Sequence, residues 1–249
     1  MKGAIVTGAS RGLGLALSQQ LLEQGYQVVG MARHVSPAIQ TLSKLWPDAF
    51  RFLTVNLTDS RGLHGVMAEA LEWLHNAAEQ LLLINNAGVV TPIATAGYYP
   101  AEQVAEAIAV NLTAPMLLTD AFLQLSEELS TDRRLLNVSS GAAIKVYPGW
   151  GVYGSTKAGL DHFCRHVAAE QQQQVNPARV VALYPGVVDT EMQTRIRASD
   201  PAQFPNKPRF DALKREGGLS QPEDAASAII GYLLSPQFGD APVVDLRNL

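Results

Sequence analysis

The stretch "TGASRGLG", residues 7–14, sets the fold. It follows an apolar run, "GAIVTG" (3–8), and leads into a helical pattern near 13–24. Gly8, Gly12 and Gly14 leave little side-chain bulk at that junction. Backbone can then approach a pyrophosphate, and the amides of a helix N-terminus favour its negative charge. The spacing, Gly-x3-Gly-x-Gly, differs from the G-x-G-x-x-G fingerprint, so its weight comes from its place at the first strand–helix junction. On this reading Gly8, Ser10, Arg11, Gly12, Leu13 and Gly14 form a dinucleotide-binding turn.

The same alternation continues along the chain. Runs at 3–8, 26–32, 50–55, 81–86, 134–140, 179–185 and 241–246 are rich in Val, Ile and Leu without strict alternation, as strands buried on both faces are. Helical patterns lie between them near 13–24, 36–46, 60–78, 101–128, 154–174 and 222–235. Strand–helix repetition implies right-handed crossovers and a parallel sheet covered on both sides. The expected fold is α/β: one Rossmann-type doubly wound domain over 1–249, with a seven-stranded, mainly parallel sheet. The segment 190–221 breaks the pattern. It is polar and interrupted by Pro201, Pro205, Pro208 and Gly217–Gly218, and its length suggests a lid over a binding site.

Composition narrows the function. With 47% hydrophobic and 17% charged residues, the chain can bury a sizeable core. A net charge of −4 gives no electrostatic reason to grip nucleic acid or an anionic membrane. A single cysteine, Cys164, permits no internal disulfide and reads as a small core side chain. No metal site is expected. The apolar stretch at the N-terminus is too short for a signal peptide, and no uninterrupted apolar run reaches the roughly 18 residues of a membrane span. These features point to a soluble, cytoplasmic protein.

An NAD site usually offers an acid to the ribose diol at the end of the second strand. Here that strand ends "GMARHVS", and no Asp or Glu stands between Gln24 and Asp48. Arg33 occupies the acid's place, and Arg11 lies inside the glycine turn. Two guanidiniums near the 2′ position match a phosphate, which predicts NADPH rather than NADH.

Further along, "NNAG" (85–88) closes the fourth strand and "NVSS" (137–140) the fifth, at the edge where ligands bind in open α/β sheets. Tyr153 and Lys157 stand four apart in "YGSTK", on one face of a helix. Ser140, Tyr153 and Lys157 can therefore converge. A phenol gives up its proton reluctantly near neutral pH, and a neighbouring ammonium is expected to lower its pKa. Tyr153 would then act as general acid toward a carbonyl oxygen, with Ser140 hydrogen-bonding that oxygen. Asn111, within the long helical pattern 101–128, has no evident role from its own position.

"TGASRGLG", "NNAG", Asn111, Ser140, "YGSTK" and "PGVVDT" (185–190) together resemble the short-chain dehydrogenase/reductase family over nearly the full chain. The resemblance implies a catalytic set of Asn111, Ser140, Tyr153 and Lys157. It implies that Lys157 also bonds the nicotinamide ribose and that Asn111 holds a water linking the lysine to solvent. Asn86, Ala87 and Gly88 would face the cofactor, Pro185, Gly186, Val188 and Thr190 would embrace the nicotinamide, and Asn56 and Leu57 would flank the adenine. Within the family, "GWGVYGSTK", "VVDTEMQ" and the ending "VVDLRNL" are similar to sepiapterin reductases, and "NVSSGAA" and "YGSTKAGL" to microbial benzil reductases. That likeness implies substrate contacts from Trp150, Met192 and Asp245, although Asp245 could equally cap the last strand.

The expected activity is NADPH-dependent reduction of a small ketone or dicarbonyl. Two other readings stay open: an NADP(H)-binding redox sensor without turnover, and a 3-oxoacyl-acyl-carrier-protein reductase. The latter needs a basic docking patch, for which "TRIR" (194–197), "KPRF" (207–210) and "KR" (214–215) supply residues. Helices near 101–128 and 154–174 form dimer interfaces in related enzymes, which implies a homodimer, with a tetramer as the larger option.

Overall fold

The computed structural model describes residues 1–77, 79–128 and 132–249. Seven strands form one sheet in the order β3-β2-β1-β4-β5-β6-β7. They are β1 (Lys2–Thr7), β2 (Gln27–Ala32), β3 (Phe50–Thr54), β4 (Gln80–Asn85), β5 (Asp132–Val138), β6 (Arg179–Tyr184) and β7 (Val243–Asp245). Every pairing among them is parallel. The chain winds outward from β1 to β3, then crosses back to lay β4 on the other side of β1. That reversal creates the crevice where open α/β sheets hold ligands.

Successive side chains of each strand enter opposite faces. Ala4 and Val6 join a core with α1 (Gly12–Glu23), α2 (Pro37–Leu45) and the later helix α9 (Pro222–Leu234). Ile5 joins the other core, beneath α3 (Leu63–Trp73), α5 (Ala114–Leu125) and α6 (Gly151–Gln171). Cys164 is fully buried in this second core, as its sequence context suggested. The helix expected over 60–78 is shorter: a 3-10 turn at Ser60–Gly62 precedes α3, and residue 78 lies outside the described residues.

The pattern 101–128 is interrupted. The helix α4 (Ala101–Ile108) passes through a π-helical turn, Ala109–Thr113, into α5. Pro115 has no N–H to return to the carbonyl of Asn111, and its ring would crowd that carbonyl in a regular helix. A widened turn just before the proline relieves both problems. By length and composition, Ala101–Leu125 suffices to cross a membrane, its most apolar window averaging a hydropathy of 1.4. Counting only uninterrupted apolar runs passed over it. In the fold, Ala114, Leu118, Ala121 and Phe122 are packed into the second core, so the apolar composition is that of a helix covering a sheet.

The segment 190–221 is not an irregular loop. It holds α7 (Glu191–Arg197) and α8 (Lys207–Arg215). Phe204, Phe210 and Ile196 from this segment bury themselves against Trp150 and Tyr153 in a third, smaller cluster. The excursion begins and ends where Asp189 N donates to Ser220 O at 2.9 Å and Ser220 N to Val187 O at 3.0 Å. Scattered aromatic residues among prolines and charges do not show helical periodicity, which is why the sequence read as loop.

Asp132 ties the opposite edge of the sheet together. It accepts from Gln80 Nε2 on β4 at 2.7 Å, Arg134 Nε at 2.8 Å and Arg179 NH2 on β6 at 2.7 Å. Burial pushes this carboxyl up, but the bonds from Arg134, Arg179 and Gln80 outweigh it and hold the group near 2, below its usual 3.8. A folded value below the unfolded one gives stability that is complete above about pH 4 and lost as pH falls toward 2. Urea unfolding at pH 5 and pH 2 should show the native protein losing about 1–2 kcal/mol that Asp132→Asn does not lose.

Candidate active site

The carboxyl ends of β1 and β4 are stapled together. Thr7 Oγ1 accepts from the amides of Asn86 at 3.0 Å and Ala87 at 3.1 Å, and Asn86 Nδ2 donates to Thr7 O at 2.9 Å. The glycine turn sits on this staple. A Cβ on Gly14 would lie 2.2 Å from Gly8 O, and Gly8 itself has φ +69. Arg11, at the N-cap of α1, provides no side-chain acceptor, so the first amides of the helix are left for a ligand. A cleft of about 970 Å³ runs from here along the carboxyl edge to the underside of α7 and α8.

Tyr153 lies in the first turn of α6 because that helix starts at Gly151, three residues earlier than its sequence pattern suggested. Both Tyr153 and Lys157 are buried, and both line the cleft. Ser140, at the end of β5, hydrogen-bonds the Tyr153 phenol and accepts from Ala142 N at 3.2 Å. Lys157 Nζ donates to Val138 O at 2.8 Å and lies 5.9 Å from the centre of the Tyr153 ring. Gly88 lies beside them: a Cβ there would stand 3.4 Å from Asn111 Oδ1 and 3.8 Å from Lys157 Nζ, in ordinary contact with both.

Burial dominates the electrostatics. It raises the Tyr153 phenol above its ordinary value, and the Ser140 hydrogen bond only partly opposes it. The lowered phenol anticipated from the adjacent ammonium is therefore not the state of this site. Desolvation also weakens the ammonium, bringing Lys157 down from 10.5 to about 8, with Asp161 pulling the other way. Asp161 sits one turn further along α6 and accepts from Ser139 Oγ at 2.5 Å and from the Tyr184 hydroxyl.

Asn111 is fully buried and does not line the cleft. Its amide oxygen accepts from Val89 N at 2.8 Å, and its Nδ2 donates to Val89 O at 2.8 Å and Thr156 Oγ1 at 3.2 Å. The side chain is therefore a brace for the strand-exit loop.

The structure brings together most of the predicted residues. Gly8, Ser10, Arg11, Gly12, Leu13, Gly14, Arg33, Asn56 and Leu57 line one half of the cleft. Asn86, Ala87, Gly88, Ser140, Pro185, Gly186, Val188 and Thr190 line its middle, and Trp150 and Met192 the far half. Arg11 pairs with Glu191 on α7, and Arg33 lies 3.5 Å from Glu106 on α4. Trp150 is less free than a substrate platform would be: it stacks on Phe204 at 5.0 Å and 24°. Gly149 makes that stacking possible, because a Cβ there would lie 2.3 Å from Gln203 O.

Asp245 does not line the cleft. It caps the final 3-10 turn through Arg247 N at 3.1 Å and grips the Arg247 guanidinium at 2.8 and 2.5 Å. Arg247 is the member of the pair that reaches the cleft. Lys145, Tyr147, Arg209 and Phe210 also line it and were missed. Only the aromatic and basic content of "KVYPGW" and "KPRF" could have signalled them.

Three lining residues bury polar atoms that have no partner among the described residues: Trp150 Nε1, Gln193 Oε1 and Arg197 NH1. Such atoms cost about 1–3 kcal/mol each, so a polar ligand at this end gains by meeting them. The glycine cradle, the open helix N-terminus and the exposed Arg11 and Arg33 fit a phosphorylated dinucleotide at the other end.

Comparison with known proteins gives the family. The family described as short chain dehydrogenase matches residues 2–201. The benzil reductase ((S)-benzoin forming) of Bacillus cereus is 37% identical over 245 residues, covering 98% of both chains. The sepiapterin reductase of Meriones unguiculatus is 30% identical over 258 residues, covering 98% of this chain and 95% of its own. The crystal structure of the KRED1-Pglu enzyme superposes with a TM-score of 0.85 at 29% identity, covering 98% of this chain and all of the other.

A buried ammonium opposes folding. At pH 7, Lys157→Met should unfold at or about 2–4 °C above the native protein, read by thermal denaturation without cofactor. That gap should narrow as pH rises from about 8 toward 10.5, where the unfolded chain still holds a proton that the folded one has released.

Proposed function

The chain belongs to the short-chain dehydrogenase family, and on that premise we propose that it is an NADPH-dependent reductase of a small ketone or dicarbonyl. Benzil-like diketones and sepiapterin-like pterin side chains are the substrate types, in keeping with the activities of its relatives. The observation that carries this reading is the buried Tyr153 phenol, bonded to Ser140 and one helical turn from Lys157.

A bound nicotinamide supplies hydride to the carbonyl carbon. The chain's own residues handle the oxygen. Ser140 donates to it as negative charge grows there. Tyr153 gives it a proton. Burial keeps the phenol protonated at neutral pH, which is the state a general acid must start from. Lys157 remains charged below about pH 8 and stabilises the phenolate left behind. Asn111 fixes the Val89 backbone beside Gly88 and so holds open the space next to Lys157. The helices α7 and α8 act as the lid and limit water.

Arg11 and Arg33 select the cofactor. Their carboxylate partners belong to ion pairs exposed by a third or more, and such pairs contribute less than about 1 kcal/mol. A 2′-phosphate, doubly charged and able to take bidentate bonds, displaces them. Assembly as a homodimer would cover Ile108, Leu117 and Leu125, which α4 and α5 leave exposed.

Tyr153→Phe should lower kcat for benzil reduction by at least about a thousandfold, while NADPH binding, followed by fluorescence titration, stays within about twofold. Turnover close to the native rate would overturn the assignment. Arg33→Ser should raise the KM for NADPH about tenfold and leave that for NADH unchanged, in steady-state assays with each cofactor.

A further inference from the structure

The charge around the cleft runs against that of the whole protein. Nine of the 19 Lys and Arg residues line it, against two of the 23 Asp and Glu, in a chain of net charge −4. Arg11, Arg33 and Lys157 are accounted for by the proposed cofactor. Six remain toward the lid: Lys145, Arg195, Arg197, Arg209, Lys214 and Arg247. Arg195, Lys214 and Arg247 are paired with Glu191, Asp189 and Asp245. Lys145, Arg197 and Arg209 form no ion pair among the described residues.

Of these three, Arg209 is connected to the Tyr153 phenol by a wall of rings. Tyr153 contacts Trp150 at 5.4 Å, and Trp150 contacts Tyr147 at 5.1 Å. Arg209 lies over the Tyr147 ring at 5.7 Å and donates to its hydroxyl at 3.1 Å. The charge of Lys145 helps hold the Asp245 carboxyl below its ordinary value. Arg197 buries NH1 without a partner among the described residues. A flat body against the rings, with its carbonyl at Tyr153, would place its far end near Arg209, Arg197 and Lys145, none of which is tied up in a close ion pair among the described residues.

We propose that the physiological substrate is a carbonyl compound with an aromatic body and a carboxylate at its non-reacting end, recognised by Arg209, Lys145 and Arg197. This rests on the reductase reading above and specifies its substrate. The carboxylate is a spectator: the carbonyl takes hydride at carbon and a proton at oxygen, NADPH becomes NADP⁺, and the acid group leaves unchanged.

The test compares benzil with its 4-carboxylate, using the full-length protein and NADPH. The carboxylate should show a KM about tenfold lower, and at least about threefold of that advantage should disappear between 50 and 500 mM NaCl, as screening requires. In Arg209→Glu and Lys145→Glu the ratio of kcat/KM for acid over neutral diketone should fall about tenfold, whereas Arg209→Lys should retain most of it. Equal KM values at low salt, with both compounds reduced, would overturn this proposal and leave the reductase reading standing. Reduction of neither compound, nor of sepiapterin, would overturn both. Faster reduction of a 3-oxoacyl thioester on an acidic carrier protein than of either diketone would assign the cations to protein docking and overturn the proposal as well.

Discussion

At the switch point, the ends of two neighbouring strands, β1 and β4, are joined through the side chains of Thr7 and Asn86. Thr7 Oγ1 accepts from the amides of Asn86 and Ala87, and Asn86 returns a bond to the Thr7 carbonyl. Each of the other parts of the site is placed relative to that junction. Gly8 and Gly14 close the phosphate turn above it at a separation no Cβ could enter. The "NNAG" loop leaves it toward Val89, which Asn111 clamps on both its N–H and its carbonyl. With that loop fixed, Gly88 lies against Lys157, and Lys157 in turn is anchored on the end of β5 through Val138. The group Ser140, Tyr153 and Lys157 is thus set by backbone geometry at the sheet edge as well as by contacts among these side chains.

Much of this could be read from the sequence because the signals are local. A glycine turn between a buried strand and a helix, strand ends rich in small polar residues, and Tyr and Lys one turn apart all follow from short-range rules. What escaped depends on backbone sterics, pairing and burial that a hydrophobic pattern does not display. The π-turn at Ala109–Thr113 arises from Pro115, a residue the hydrophobic pattern treats as neutral. The helices α7 and α8 are held by Phe204 and Phe210 packing on Trp150, a contact made across more than 50 residues of chain. Asp245 has the same residue type as a ligand anchor would have, but its neighbour Arg247, two positions on, determines what it does. The phenol's state also escaped, since charge proximity is visible in a sequence and desolvation is not.

The cleft has two electrostatic halves with different logic. At the glycine end, positive potential comes from the open amides at the start of α1, with arginines at the rim that already carry carboxylate partners. At the lid end it comes from side chains, among them Arg209, whose guanidinium lies over the Tyr147 ring. The Arg11–Glu191 pair spans the two halves, joining the glycine turn to the first residue of α7.

The widened turn in front of Pro115 also fixes the phase of the helix on either side of it. A π-turn is equivalent to one additional residue in an α-helix, and each residue advances the helix by about 100°. The wider turn spreads that extra residue over the rotation a regular turn would make, so α4 and α5 keep a common phase toward the core. Tightening Ala109–Thr113 into a regular ladder with every residue kept would instead rotate one half relative to the other by about 100°. Either Ala107 on α4 or Leu118 and Phe122 on α5 would then turn out of the core, and Asn111 would lose its register with Val89.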